Sequence, residues 1–253
     1  MNELDTVVVR PRRDPAARLS LVCLGFCGGG AGAYMPWAAI MPPGTELAAI
    51  CYPGREGRFG EDHPPDWDGL AEDAVSAVLS AAERPYILFG HSMGGWMAFD
   101  VASRISERGG PKPVALVVSS ANAPNRGLTV QDMFPAQQES DDQLLDWMKA
   151  FGLMPDHVLG DPDLREMAVE IMRADIRIRD TFYYRDRATV DVPVQVLTGI
   201  SDTVIDPNTA DQWRALATGE FRHDVLPGGH FYTPEVWSSL PGRIPALAAK
   251  SPA

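Results

Sequence analysis

The residue with the clearest chemical potential is Ser92, which sits in Gly90-His91-Ser92-Met93-Gly94 with a further glycine, Gly95, behind it. Tyr86 to Phe89 is short, aromatic and branched enough for a buried strand, while Met93, Trp96, Met97 and Val101 recur at helical spacing. A strand that becomes a helix within two residues forces the serine between them into a strained backbone and leaves no room for neighbouring side chains. The glycines of G-x-S-x-G meet that need, and the strain aims the hydroxyl away from the sheet. The helix N-terminus bares N–H groups that can face developing negative charge. Three fixed positions recur by chance about once in ten chains of this length, so the motif carries weight only through its strand-to-helix context.

A serine nucleophile needs a base, an acid that orients the base, and two oxyanion donors. His230 follows the last strand, Phe221 to Leu226, in Gly228-Gly229-His230-Phe231. Asp202 follows Val192 to Gly199, placing an acid just past a parallel strand's carboxyl end, where open α/β sheets hold ligands. Asp206 competes with it from four residues on, but Asp202 lies closer to the strand end that would fix it. Ser, Asp, His is the chain order of α/β-hydrolases. His91 neighbours the serine in the turn and is expected to face elsewhere, and His63, His157 and His223 are expected to be packing or surface residues. One oxyanion donor of such enzymes is the N–H after the nucleophile, here Met93. The other comes from a loop after an early strand, which selects Cys27 in Cys27-Gly28-Gly29-Gly30, downstream of Arg18 to Phe26. That glycine run lacks the Lys-Ser/Thr of a P-loop and the G-x-G-x-x-G spacing, so a nucleotide site is not expected.

The elements that must position these residues alternate. Thr6 to Val9 reads as an edge strand, Glu46 to Cys51 as a further strand, Asp66 to Ala82 as an amphipathic helix and Val114 to Ser120 as a buried strand. Alternation of strands and helices implies a mostly parallel central sheet flanked by helices, an α/β fold. Between about Asn122 and Val190 strands vanish and helical patterns cover Asp141 to Phe151 and Leu164 to about Tyr184. This reads as a helical lid inserted at about 122–190 into a single α/β-hydrolase domain of residues 1–253. Its Met133, Met148 and Met154 are candidates to line an acyl tunnel, since methionine adapts to varied shapes.

The 253 residues carry a net charge of −12, which argues against nucleic acid or an anionic membrane as partner. No stretch is apolar enough for a bilayer span or a signal peptide, so a soluble cytoplasmic protein is expected. Cys23, Cys27 and Cys51 form neither a disulfide framework nor a metal set and are expected to be buried thiols. No metal site is expected.

The chain resembles type II thioesterases, the stand-alone α/β-hydrolases that accompany polyketide synthases and nonribosomal peptide synthetases. The resemblance rests on GHSMGG, LVCLGFCGGGAGAYMPW, PGREGR, RADIRIRDTFYY and LPGGHFY, in family order over nearly the whole chain. It implies nucleophile Ser92, base His230, acid Asp202, backbone donors Cys27 and Met93, and a transient acyl or peptidyl carrier protein as partner. It also implies hydrolysis of acyl thioesters without a cofactor, the phosphopantetheine arriving as part of the substrate. Gly25, Cys27 and Trp96 depart from the residues expected of the family, which bears on substrate preference. Trp96 and Phe231 are taken as acyl-pocket residues, with Trp96 bulky enough to shorten the pocket. Arg55 and Arg58, or the stretch from Arg173 to Arg187, are candidates for carrier docking, and a monomer is expected. A carboxylesterase or acyltransferase on the same scaffold, or a catalytically idle carrier-binding module, are the competing readings.

Overall fold

A computed structural model describes residues 4–130, 132–154 and 156–248. Its seven strands are β1 (Val8–Arg12), β2 (Leu19–Leu24), β3 (Thr45–Ile50), β4 (Tyr86–His91), β5 (Ala115–Ser119), β6 (Val194–Gly199) and β7 (Phe221–Leu226). They form one sheet in the order β1-β3-β2-β4-β5-β6-β7. Only β1 is antiparallel, and it pairs with β3 from the sheet edge. It begins two residues later than the sequence pattern implies, because Leu4–Val7 is a helical turn, α1. The remaining helices are α2 (Trp67–Ala81), α3 (Met93–Glu107), α4 (Asp141–Ala150), α5 (Asp156–Leu159), α6 (Pro162–Asp180), α7 (Thr209–Arg214), α8 (Pro234–Ser239) and α9 (Pro245–Ala248).

Successive side chains on a strand point to opposite faces, so each buried strand supplies two cores. Val22, Leu24, Leu88, Leu116, Val118 and Val196 face α2 and α3, where Trp67, Leu70, Val78, Met97 and Val101 complete one core. Leu21, Cys23, Ile87, Phe89, Val117 and Leu197 face the opposite side, against Tyr34, Trp37, Val236 and Leu240. Burial on both faces is why the strands read as continuous apolar runs rather than alternating ones.

Between β5 and β6 lie α4, α5 and α6, and no strand is formed there among the described residues. This lid has a core of its own, built from Leu144, Met148, Met154, Val169, Met172 and Ile176. Ser140 caps α4 through a reciprocal pair with Gln143, and Asp161 caps α6 by accepting from the N–H groups of Asp163 and Leu164.

At the sheet's centre β4 passes into α3 through one residue, Ser92, whose φ of 52° and ψ of −124° lie outside the usual regions for a side-chain-bearing residue. The strand and helix backbones nearly touch there. A Cβ on Gly90 would lie 1.8 Å from the Gly94 carbonyl oxygen, and one on Gly94 would lie 2.7 Å from that of Leu24. We expect Gly90→Ala to cost about 3 kcal/mol or more, because the obstacle is backbone that cannot rotate away. Thermal unfolding followed by circular dichroism should show a fall in Tm of about 6–12 °C, or no folded protein. An unchanged Tm would contradict this packing.

Candidate active site

Parallel pairing puts the carboxyl ends of β2, β4, β5 and β6 on one edge of the sheet. Leu24 pairs with Gly90, and His91 with Ser119, so the loops carrying Cys27, Ser92 and Asn122 emerge side by side. Gly199 pairs with Leu226, which brings the Asp202 loop next to the loop after β7 that carries His230.

The three side chains named from the motif and chain order meet in one line. His230 Nε2 is 2.9 Å from Ser92 Oγ, and His230 Nδ1 is 3.0 Å from Asp202 Oδ2. An ionised carboxylate only accepts hydrogen bonds, so Nδ1 carries the proton and Nε2 is left to accept from the serine hydroxyl. The Asp202 side chain is fully buried, and its other oxygen accepts the Val204 N–H at 3.0 Å. Asp206 does not join this line. Its N–H donates to Asn122 Oδ1, and its carboxylate accepts the Asn208 N–H. A hydroxyl held by an imidazole that is itself held by a buried carboxylate can lose its proton as it attacks an electrophile.

His91 faces the other way, as its place in the turn implies. Its Nδ1 is 3.0 Å from Ser119 Oγ, which lies 2.7 Å from the Tyr232 hydroxyl. Burial holds the His91 pKa well below its usual value, and the nearby His230 adds to this, so the ring stays neutral.

Ser92 and His230 open onto a cavity of about 330 Å³ between the sheet edge and the lid. Cys27, Met93 and Trp96 line its floor, and Phe134, Trp147 and Phe151 come from the lid. Met93 opens α3, so its N–H has no acceptor within the helix. Trp96 lines the cavity and is also firmly held. Its ring stacks on Phe182 with centroids 5.1 Å apart, and its Nε1 donates to the Asn122 carbonyl at 2.7 Å.

Several sequence expectations need correction. Phe231 is not in the cavity lining; its ring packs behind the site against Phe26, His91 and Phe151. The methionines Met148 and Met154 are spent on the lid's own core, and Met133, although exposed, does not reach the cavity. Helical spacing identified an apolar stripe but not which side of the lid it faces. Arg55 and Arg58 are buried rather than displayed, Arg55 on Asp175 and Arg58 on Asp73 and Glu61. In the lid stretch, Arg173 pairs with Asp141 and Arg185 with Asp100 and Glu107, while Arg177 and Arg187 are exposed.

Of the cavity residues not singled out from the sequence as site residues, Asn122 and Arg179 carry polar groups that tie its walls together. Asn122 donates to Asp132 and to the Val204 carbonyl while accepting from Asp206, so it ties the β5 loop to the lid and to the acid loop. Arg179 lines the cavity from α6 with its guanidinium donating to Asp180 and to the Pro135 carbonyl. Its signal was present: Met172, Ile176 and Arg179 share one helix face, and a charge interrupting an apolar stripe is a buried charge with a partner.

The family described as "Thioesterase domain" matches residues 20–244. The chain is 34% identical over 213 residues to the AMB antimetabolite synthetase AmbE of Pseudomonas aeruginosa, covering 84% of this chain and 10% of that protein. It is 34% identical over 218 residues to the probable cadicidin biosynthesis thioesterase of Streptomyces griseus, covering 86% of this chain and 59% of that one. It therefore spans less than two thirds of the length of both relatives. Among solved structures, the type II thioesterase BorB from the borrelidin biosynthetic cluster superposes with a TM-score of 0.85 at 32% identity, over 98% of this chain and all of that one.

A thiol beside the serine invites the question of which group is reactive. Burial pushes the Cys27 thiol up to about 12, and Asp175 adds to the shift while Arg179 and Arg55 oppose it. A thiol in that state is a poor nucleophile near neutral pH. Cys51 is likewise raised to about 11, chiefly by burial, and burial also holds the Cys23 thiol well above its ordinary value. Iodoacetamide at pH 7.5 should leave all three cysteines unmodified in the native protein and alkylate them after denaturation, as read by mass spectrometry. Fast native alkylation of Cys27 would overturn this ranking.

Proposed function

Because this chain belongs to the thioesterase-domain family, we propose that it is a type II thioesterase that hydrolyses acyl thioesters from the phosphopantetheine arm of carrier proteins, through an acyl-Ser92 intermediate. The observation that carries the reading is the hydrogen-bonded line Ser92–His230–Asp202 at the mouth of a cavity with an apolar floor. In this scheme Ser92 Oγ attacks the thioester carbonyl as His230 Nε2 takes its proton, and Asp202 orients and stabilises the imidazolium. The negative charge gathering on the carbonyl oxygen is met by the N–H groups of Cys27 and Met93. Collapse expels the pantetheine thiol with the proton from His230. Water, activated by the same imidazole, then releases the acid and restores Ser92. No cofactor takes part in the scheme, and since nucleophile, base, acid and both donors come from one chain, a monomer suffices.

The relatives suggest where such an activity would work. BorB is a type II thioesterase of a biosynthetic cluster, and the cadicidin relative is a probable biosynthesis thioesterase. By analogy, this chain would clear stalled or wrongly primed acyl groups in polyketide or nonribosomal peptide synthesis. An acidic enzyme gains no long-range attraction to carrier proteins, which are typically acidic as well, so docking falls to local cations and stays weak. Arg177 and Arg187 are the exposed lid arginines suited to that contact.

The test is a panel of acyl-carrier proteins followed by mass spectrometry with enzyme present or absent. The parent should strip acyl groups and Ser92→Ala should not. Asp202→Asn should lower kcat by as much as ~10⁴-fold through the wrong histidine tautomer, with Asp206→Asn close to parent. Equal or faster turnover of a simple oxygen ester of the same acyl group would instead favour a carboxylesterase.

Trp96 generates a second expectation. Each methylene that fits an apolar cavity contributes about 0.8 kcal/mol, roughly fourfold in kcat/KM, until the chain meets the indole. Activity should therefore climb over the first few carbons and then fall, and Trp96→Ala should move the maximum to longer chains. A profile unaltered by that substitution would show that Trp96 does not limit chain length.

A further inference from the structure

The glycine loop that carries Cys27 is gripped from two directions. Gly29 N–H donates to the Phe26 carbonyl at 2.8 Å, closing a turn in which Gly28 has a φ of 74°. Outside the turn, Gly28 N–H donates to Asp175 Oδ2 at 2.7 Å. Asp175 lies on the lid helix α6 and is fully buried. Arg55, itself 2% exposed, spans the gap: one guanidinium nitrogen donates both to the Gly29 carbonyl at 2.7 Å and to Asp175 Oδ2 at 2.8 Å, and the other donates to Asp175 Oδ1 at 2.5 Å. Next in the chain, Glu56 accepts the N–H groups of Ala31 and Gly32 at 2.9 and 2.8 Å. Every one of these bonds ends on the backbone of the loop or on a group that holds it.

An oxyanion donor stabilises a transition state only if it is held within about 0.5 Å of its working place. A loop this rich in glycine has no stiffness of its own. We propose that Asp175 and Arg55 are positioning residues that hold the Cys27 N–H in place, which makes the seated lid helix part of the oxyanion machinery. The inference rests on the reading of Ser92 as nucleophile and Cys27 as donor. It also accounts for two charges buried side by side, because such a pair gives little net stability but fixes a geometry that apolar residues would leave loose. A lid displaced from α6's present position would lose the Gly28 bond and the Arg55 partner together, so acyl transfer would be confined to the closed arrangement.

Asp175→Ala should lower kcat about 10- to 100-fold, somewhat less than deleting a donor outright, while KM stays within about threefold. A peptidyl or alkyl boronic acid, which forms a tetrahedral adduct on the serine, should lose affinity by the same factor as kcat, whereas the product acid should bind as before. Asp175→Asn keeps an acceptor for Gly28 and should recover part of both losses. Asp73→Ala is the control: it strips the buried Arg58, on the same turn as Arg55, of its α2 partner without touching the loop, so it should lower Tm but leave kcat within about twofold. Should Asp175→Ala fail to fold, Arg55→Lys serves, since one ammonium cannot hold both Asp175 and Gly29 as the guanidinium does. Loss of kcat with unchanged boronic acid affinity, or a change confined to KM, would overturn the proposal. A parent enzyme that hydrolyses thioesters yet forms no adduct at Ser92 would instead overturn the reading of Ser92, independently of how Asp175 behaves.

Discussion

Everything chemical in this molecule depends on the contact between the end of β4 and the start of α3, where the Gly90 and Gly94 backbones meet with no room for a Cβ on either. That contact obliges Ser92 to adopt a positive φ, which costs of order 1–3 kcal/mol and persists only if the surroundings over-determine it. They do so here. The Ser92 N–H donates to the Ser119 carbonyl on β5, and the Gly95 N–H donates back to the Ser92 carbonyl, both at 2.8 Å. The serine is thus locked to the neighbouring strand as well as to its own helix, and its hydroxyl is presented to His230 by a rigid frame.

The charges follow a similar logic. In a chain with net charge −12 arginines are not simply spread over the surface: Arg55, Arg58, Arg104 and Arg179 are each buried and each paired with carboxylates. Arg104 and Asp100 join α3 to α2 through Asp68, Glu72 and the Trp67 indole. Such pairs contribute little net stability because desolvation offsets their attraction. Their value is directional, since a guanidinium fork fixes the angle as well as the distance of what it holds. Near the site, the same economy keeps His91 neutral by burial and leaves His230 as the imidazole facing the serine.

The lid is built as a small domain-like unit with its own core, and besides Arg185 on Asp100 and Glu107 it is tied to the rest of the chain close to Ser92 and His230. Phe151 sits over His230 with ring centroids 6.3 Å apart, Asp132 is tied to Asn122, and Asp175 is tied to Arg55. The cavity and the glycine loop therefore share one support.

The sequence by itself determined the layers and the chemistry-bearing residues. Buried strands announce themselves as apolar runs, and a nucleophile turn requires glycines at fixed offsets. Parallel topology then sends residues that follow strand ends to a single edge. Ser92, Asp202 and His230 were legible for those local reasons, and the lid was legible as a break in strand pattern between β5 and β6. Tertiary structure alone decided which side of each lid helix faces the cavity. Helical periodicity gives a stripe without an address, so Met148 and Met154 turned inward to the lid core while Arg179 took the cavity wall. It decided, too, that Phe231 packs behind His230 and that Arg55, a polar residue in a turn with every local mark of exposure, is buried. Its partner, Asp175, lies 120 positions away in sequence, and a pairing across that distance is set by the packing of the lid on the sheet, which no local pattern of residues encodes.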